Sequence, residues 1–574
     1  MKTALCLTLA IATMATLPLA AQEAVQPENT YDVGAVNSAT ASSYMVVAAH
    51  PAAAEAGRVV LAEGGTAADA AVAVQLMLTL VEPQSSGLGG GAFAVYWDAS
   101  AGRLTTYDGR ETAPLAADET YWLGADGSPI GWRDAVPGGK SVGVPGTPAL
   151  LQHLLEKHGT MSRARLATPA IIAARHGFRV SPRMAASIAT GADRGLKAFP
   201  ATAAYFFDDN GDPLAAGTLL TNEALAKSFE AFASDGAAPF YTGDIARDIL
   251  WETLGAPINP GMLTPADFAS YKVIERPAVC APYRGHEVCG MGPPSSGALT
   301  VGQILMMLDH HDMTEISPAS WQRYVEASRL AYADRGLYMA DSDFVDMPEG
   351  LLDAGYMKTR AALIGEQAAE IAPGTPPWRE GGMWAPDTDA ERPGTSHFVI
   401  HDQYGDIISM TTTIETGFGS RLMAGGFLLN NELTDFSRAP ERDGLMVANR
   451  VEGGKRPRSS MAPTIVLKDG KPVIALCSPG GSRIIGYVAT SLIGMLNWGM
   501  TPAEAVAMGH VTASGGRVDL EQGTEAAALQ EAMIAYGLEA RVRDLNSGLA
   551  IMEMENGAIT GAADPRREGV ALGE

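Results

Sequence analysis

The tetrad Gly394-Thr395-Ser396-His397 opens a stretch of β-type alternation directly after 365–394, a run of Pro, Gly and charged residues that reads as a flexible linker. A chain cut before Thr395 would begin with a threonine. A terminal threonine has what an internal one lacks, an α-amine beside its own Oγ that can take the hydroxyl proton. Threonine after glycine is common, so the bond alone proves little. Its company is more informative: Thr411-Thr412-Thr413, Asn430-Asn431-Glu432 with Asp435, Lys455-Arg456-Pro457 followed by Ser459-Ser460, and Pro479-Gly480-Gly481-Ser482-Arg483. A hydroxyl attacking an amide carbonyl develops an oxyanion. Consecutive glycines leaving a strand can turn two backbone N–H groups toward that charge where side chains would obstruct. The same pair also makes an ordinary strand-to-helix turn.

Together these motifs resemble the γ-glutamyltranspeptidase family of N-terminal nucleophile hydrolases. The resemblance runs from about residue 35 to 567 and is densest after Thr395. It implies a proenzyme that cuts itself before a threonine and a mixed α/β fold, a four-layer αββα sandwich with two antiparallel sheets between helical layers. It also implies transfer of a γ-glutamyl group from glutathione or related amides to water or an amino acceptor, with no cofactor and no metal. Carried over residue by residue, Thr395 is both the self-cleavage and the catalytic nucleophile, Thr413 the supporting hydroxyl, and Gly480 and Gly481 the oxyanion donors. Arg110, in Asp108-Gly109-Arg110-Glu111, matches the arginine that binds the substrate α-carboxylate, with Ser459 and Ser460 adding donors. Glu432 and Asp435 match the acids that receive the α-ammonium.

Three features depart from the family pattern. Glu415 stands where an Asn is common, and Arg458 where a Leu is common before the paired serines. Glu415 either adds a third carboxylate to the ammonium pocket, stays neutral there through a raised pKa, or is paired by Arg458, which otherwise points to solvent, and the motif does not choose among these. The lid-like segment 437–454 is shorter than in long-lid members, which implies looser closure.

The 574 residues are enough for a sizeable core, and 47% hydrophobic with 18% charged residues is a globular balance. A net charge of −24 argues against nucleic acid or anionic lipid as the main partner. Residues 1–21 read as an export signal: Lys2, an apolar stretch over 4–19, then Ala20-Ala21. The expectation is a periplasmic or secreted protein without a stable membrane anchor. After the signal three cysteines remain. Cys280 and Cys289 flank a turn-like segment between two β-prone runs, and either form a disulfide or remain two buried thiols; Cys477 lies in an apolar run and reads as an inert core residue.

The elements that must position these residues have clear local signals. Helices are expected over 51–63 and 66–81, then a Gly-rich loop, 85–91, leads into a strand over 92–97. That loop lacks the following Lys-Ser/Thr and helix of a phosphate site, so close backbone approach is the better reason for its glycines. Ser181-Pro182 and Ser317-Pro318 open helices. Hairpins are expected at 395–413, around Asp469-Gly470 and around Asn556-Gly557, and a helix over 484–496 is followed by a capping box at Thr501. The resulting expectation is an exported enzyme matured into a large fragment, 22–394, and a small one, 395–574, that stay associated as a heterodimer. Two rivals remain: a glutaryl- or cephalosporin-type acylase on the same fold, and a non-catalytic exported binding protein.

Overall fold

The structure, a computed structural model of the uncleaved chain, describes residues 30, 33–378, 383–389 and 394–574. The leader-like segment 1–21 and parts of the linker fall outside the described residues. Two seven-stranded sheets form the centre. One runs in the order Val570–Gly573, Met45–Ala48, Thr395–His401, Ile407–Thr413, Gly91–Asp98, Arg103–Gly109, Ile274–Arg276. The other runs Asn37–Ala41, Ala558–Ala563, Ala550–Glu555, Lys471–Cys477, Thr464–Lys468, His286–Gly290, Val279–Tyr283. Neighbouring strands in both sheets are antiparallel.

Strand periodicity sorts the side chains into layers. Met45 and Val47, with Phe93, Val95, Val399 and Ile407, face the second sheet and pack with Val288, Ile465 and Ala475. The alternate residues Val46, Ala48, Ala94, Phe398, Ile400 and Met410 face outward onto helices Pro51–Ala62 and Ala67–Val81. Helices Gly297–Leu308, Pro318–Tyr338 and Ile484–Trp498 cover the far side of the second sheet. The four layers αββα expected from the sequence are therefore present, with two antiparallel sheets in the middle.

Local signals act as anticipated. Thr66 and Asp69 form a reciprocal capping box, as do Thr501 and Glu504, and Ser181 and Ser317 accept from the backbone N–H groups of Met184 and Ser320. Asp469-Gly470 and Asn556-Gly557 all adopt positive φ, the requirement of a tight two-residue hairpin turn. The Gly-rich loop is dictated by space: a Cβ on Gly89 would stand 2.0 Å from the Leu428 carbonyl oxygen, and one on Gly90 1.9 Å from that of Thr413. The linker departs from its reading as free chain. Its described part is irregular, yet Gly374 N–H donates to Asp334 and Asp387 is tied to the body of the protein.

The stretches before and after Gly394 share both sheets. Thr395–His401 lies between Met45–Ala48 and Ile407–Thr413, and Ile407–Thr413 pairs on its other side with Gly91–Asp98. Separating them would unzip both sheets, so a cut at residue 394 leaves the pieces locked together. Cys280 and Cys289 sit directly opposite on adjacent strands and are bonded, and Cys477 is a free, buried thiol. Burial pushes that thiol up to about 11, which keeps it protonated and unreactive. Non-reducing peptide mapping of the purified protein should recover one linked peptide pair, Cys280 with Cys289, and Cys477 should resist alkylation until the protein is denatured; alkylation of all three without reductant would contradict this.

Candidate active site

Thr395 is the first residue of its strand and lies opposite Thr413. Both side chains face the inter-sheet side, because Val399, an even number of residues on from Thr395, packs there. The Thr413 hydroxyl donates to the Gly394 carbonyl oxygen at 2.8 Å and accepts from the Glu415 N–H at 2.8 Å. The carbonyl of the bond before Thr395 is thus polarised by the residue expected to support the nucleophile. Gly394 is required by space, since a Cβ there would stand 2.0 Å from the Glu415 carbonyl oxygen.

One small pocket collects the expected residues: Arg110, Thr395, Thr413, Glu415, Glu432, Asp435, Ser459, Ser460 and Gly481 all line it. Gly480, immediately before Gly481, does not line the pocket itself; it has φ +143° and Gly481 φ +58°, conformations that L side chains rarely adopt. In the uncleaved chain the pocket measures about 20 Å³, room for a water molecule and little more.

The pocket is electrostatically dense. Arg110 is fully buried; its guanidinium pairs with Glu432 through Nη1 and with Asp435 through Nη2 at 2.7 Å, and also donates to the carbonyls of Pro457 and Arg458. Burial pushes the Glu432 carboxyl well above its usual range; Arg110 opposes this while nearby Glu111 and Glu415 reinforce it. Burial likewise raises Glu111 to about 7, against the pull of Arg110. One arginine among these acids therefore favours retention of a proton in the cluster. His397 is not a base here. Burial drives its imidazole down to about 3, and it shares a 3.0 Å hydrogen bond with Thr411.

A model of the family described as Gamma-glutamyltranspeptidase matches residues 53–574. The chain belongs to the γ-glutamyltranspeptidase family. It is 36% identical over 547 residues to the glutathione hydrolase proenzyme of Bacillus subtilis (strain 168), covering 92% of this chain and 91% of that one. Among solved structures it is similar to cephalosporin acylase from Bacillus halodurans, with TM-score 0.83, 25% identity, and 94% of this chain and 97% of the other covered. It is also similar to γ-glutamyltranspeptidase from Helicobacter pylori, with TM-score 0.55, 35% identity, and 58% and 96% covered. The fold is that of the N-terminal nucleophile hydrolases to which γ-glutamyltranspeptidases belong.

The departures from the γ-glutamyltranspeptidase pattern find particular partners. Arg458 is buried and pairs with Asp387 at 2.8 Å, an aspartate of the segment 383–389 to which Asn449 also donates. Asn431 donates to Glu415 Oε2 at 2.6 Å. Asp387 is thus an ion-pair partner of Arg458, and Asn431 a hydrogen-bond partner of Glu415. Glu415 also has φ +75°, a conformation Asn tolerates better than Glu, which accounts physically for Asn being the family's usual choice. The segment 437–454, expected to be a lid, carries a small hairpin, Glu441–Arg442 with Leu445–Met446, and is tied to the segment 383–389 by Arg438–Asp389 at 2.9 Å and by Ala385 N–H to the Met446 carbonyl.

Several positioning residues carried no sequence signal. Arg567, near the C-terminus, donates to the Thr395 carbonyl at 2.9 Å. Ser396 donates to Glu82 at the end of helix Ala67–Val81 at 2.6 Å, fixing the strand's first turn. Arg335, one residue beyond the family-like segment 326–334, donates to Ser296 and to Ser460, each at 2.8 Å, and so orients the second of the paired serines. Arg456 pairs with Asp108 and donates to its carbonyl at 2.9 Å, which ties the 455–460 motif to the motif of Arg110. These partners lie 39 to 348 residues apart in sequence, and only the fold brings them together.

Arg458→Leu, measured by urea unfolding of the intact chain, should lower stability by about 3–5 kcal/mol, because it leaves Asp387 buried without its cation. Adding Asp387→Asn should restore much of that loss. A loss under about 1 kcal/mol, as for a surface pair, would show that the ion pair contributes little.

Proposed function

We propose that this protein is an exported γ-glutamyltransferase and glutathione hydrolase that cleaves itself before Thr395. The observation carrying this reading is the convergence, in one pocket beside the Gly394–Thr395 bond, of Arg110, Glu432, Asp435, the paired serines and Gly481. In the first step Thr395 Oγ attacks the Gly394 carbonyl, whose oxygen Thr413 already polarises. Hydrolysis of the resulting ester frees the α-amine of Thr395 and yields fragments 22–394 and 395–574. The same hydroxyl, with that amine as base, then attacks the γ-carbonyl of the donor and holds the γ-glutamyl group as an ester until water or an amino acid or dipeptide takes it. The N–H groups of Gly480 and Gly481 serve the oxyanion.

A zwitterionic γ-glutamyl group suits the charges. Its α-carboxylate takes the Arg110 guanidinium and its α-ammonium takes Glu432 and Asp435, so one ligand replaces an internal ion-pair network with no change of net charge. The leader-like N-terminus and the relatives' designation as proenzymes fit a periplasmic or secreted protein made as a precursor. A second reading, an acylase for glutaryl-type side chains, has in its favour the whole-chain likeness to cephalosporin acylase. Against it, such side chains lack the ammonium, and two buried acids in the pocket would then face an apolar chain.

Purified wild-type protein should contain two associated fragments, the smaller beginning at Thr395, whereas Thr395→Ala should remain one chain; N-terminal sequencing decides this, and efficient cutting of the alanine variant at the same bond would remove the nucleophile assignment. Processed enzyme should release p-nitroaniline from its γ-glutamyl anilide, faster with a dipeptide acceptor, and leave glutaryl-p-nitroanilide largely uncut. The opposite preference would favour the acylase.

Arg110→Lys keeps a cation between Glu432 and Asp435 but loses the planar fork. It should mature normally while kcat/KM for the γ-glutamyl anilide falls about tenfold or more, the share of one charge-assisted hydrogen bond. Unchanged donor kinetics would place Arg110 outside the carboxylate contact.

A further inference from the structure

The stretch 383–389 is irregular apart from one bridge, yet it is fastened along most of its length. Trp384 packs against the cluster of Ala340, Val345 and Ala448, with the Arg450 guanidinium 5.6 Å over its ring. Ala385 is buried, forms a parallel bridge with Val447 and donates its N–H to the Met446 carbonyl at 2.9 Å. Asp387 N–H donates to the Gly336 carbonyl at 2.9 Å, and Arg442 donates to the Thr388 hydroxyl at 2.6 Å. Arg438 donates to Asp389 from its backbone and from its guanidinium, each at 2.9 Å. None of these contacts runs through Gly394 or Thr395, so a cut between those two residues severs none of them.

Asp387 is the deepest of the anchors. Its side chain is 1% exposed and lies between Arg458, at 2.8 Å, and Asn449, whose amide donates to it at 3.2 Å. Those two residues in turn hold the polar wall of the nucleophile pocket. Asn449 donates to the Asp435 carbonyl at 2.8 Å and accepts from the Arg458 N–H at 3.0 Å, while the Arg458 carbonyl accepts from Arg110 at 3.0 Å. Arg110 and Asp435 line the pocket and Asp387 does not, yet it stands one residue behind each of them. Lifting 383–389 away would take this carboxylate from a guanidinium whose side chain is 2% exposed, a costly change for a buried cation.

We propose that Asp387 is a positioning residue of the active site, supplied by a strap, 383–389, that stays docked after the chain is cut before Thr395 and that holds Arg110 and Asp435, through Arg458 and Asn449, in the geometry that binds the donor. This rests on the γ-glutamyl and self-cleavage reading and extends it to the tail of the large fragment. Gly394 must leave Thr395 for a donor to reach the hydroxyl, whereas 383–389 need not move.

Hydrogen–deuterium exchange of processed wild-type enzyme, read by peptide mass spectrometry, tests the docking without any variant. The peptide covering 383–389 should be as protected as in uncut Thr395→Ala; exchange in the processed enzyme as fast as in a synthetic peptide of the same sequence would overturn the inference and leave the cleavage reading standing. Steady-state kinetics with γ-glutamyl-p-nitroanilide tests the positioning. Processed Asp387→Asn should show KM raised about tenfold with kcat within about twofold of wild type, because Arg110 and Asp435 hold the donor rather than the reacting bond. Asp387→Glu, which keeps the charge, should stay within about threefold in both constants. A merely structural Asp387 would lower the urea midpoint and leave KM and kcat unchanged, and that result would overturn the inference. If Asp387→Asn does not mature, the exchange measurement on wild-type protein still decides. Wild-type protein that stays uncut would overturn the self-cleavage reading, and this inference with it.

Discussion

Everything at this site depends on one register, Thr395 opposite Thr413. Strand side chains alternate between faces, so a slip of one residue would swing Thr395 from the inter-sheet side to the helical side and separate the Thr413 hydroxyl from the Gly394 carbonyl. The register is pinned on every side. Phe398 and Ile400 must reach the outer core and Val399 the inner one, Ser396 is held by Glu82, and the neighbouring strand Met45–Ala48 fixes the far end. The strand is also buried on both faces, so the hydrophobic effect resists any alternative pairing. A polar, reactive residue is thereby held at a strand terminus by an apolar scaffold that has no other arrangement available.

The second organising feature is a buried arginine among acids. Arg110 in the uncleaved chain satisfies Glu432 and Asp435 itself, and its loop is fastened to the paired-serine segment by Arg456 and Asp108. Buried charges persist only when paired, and here one guanidinium pairs with two carboxylates. The segment 383–389 contributes too, through Asp387 on Arg458 and Asp389 on Arg438. A few ion pairs thus join the segment 383–389 to the stretch 437–458 beside the pocket.

Much of this was legible in the sequence because the relevant rules are local. Capping boxes at Thr66 and Thr501, hairpin turns at Asp469-Gly470 and Asn556-Gly557, and two-residue alternation through 395–413 are short-range signals, and the structure follows them. The pocket residues were readable because they cluster in motifs of recognisable spacing. What escaped was set by chain topology. Arg567 reaches Thr395 from near the C-terminal end of the chain, Arg335 reaches Ser460 from a helix, and Arg458 meets Asp387 only because the fold brings the two together. The linker misled for a related reason: a Pro- and Gly-rich composition reports the lack of regular structure, not the lack of anchoring. The disulfide was undecidable until strand register placed Cys280 opposite Cys289.

The central claim is that the hydroxyl of Thr395, freed at a new N-terminus, carries the transferred group. Processed enzyme mixed with a γ-glutamyl donor, quenched in acid within the first turnover and digested, can be read by peptide mass spectrometry. The account predicts one γ-glutamyl group on the peptide beginning at Thr395, lost again when an amino acceptor is added before quenching. A γ-glutamyl group on any other residue, or turnover with the N-terminal peptide never modified, would contradict it.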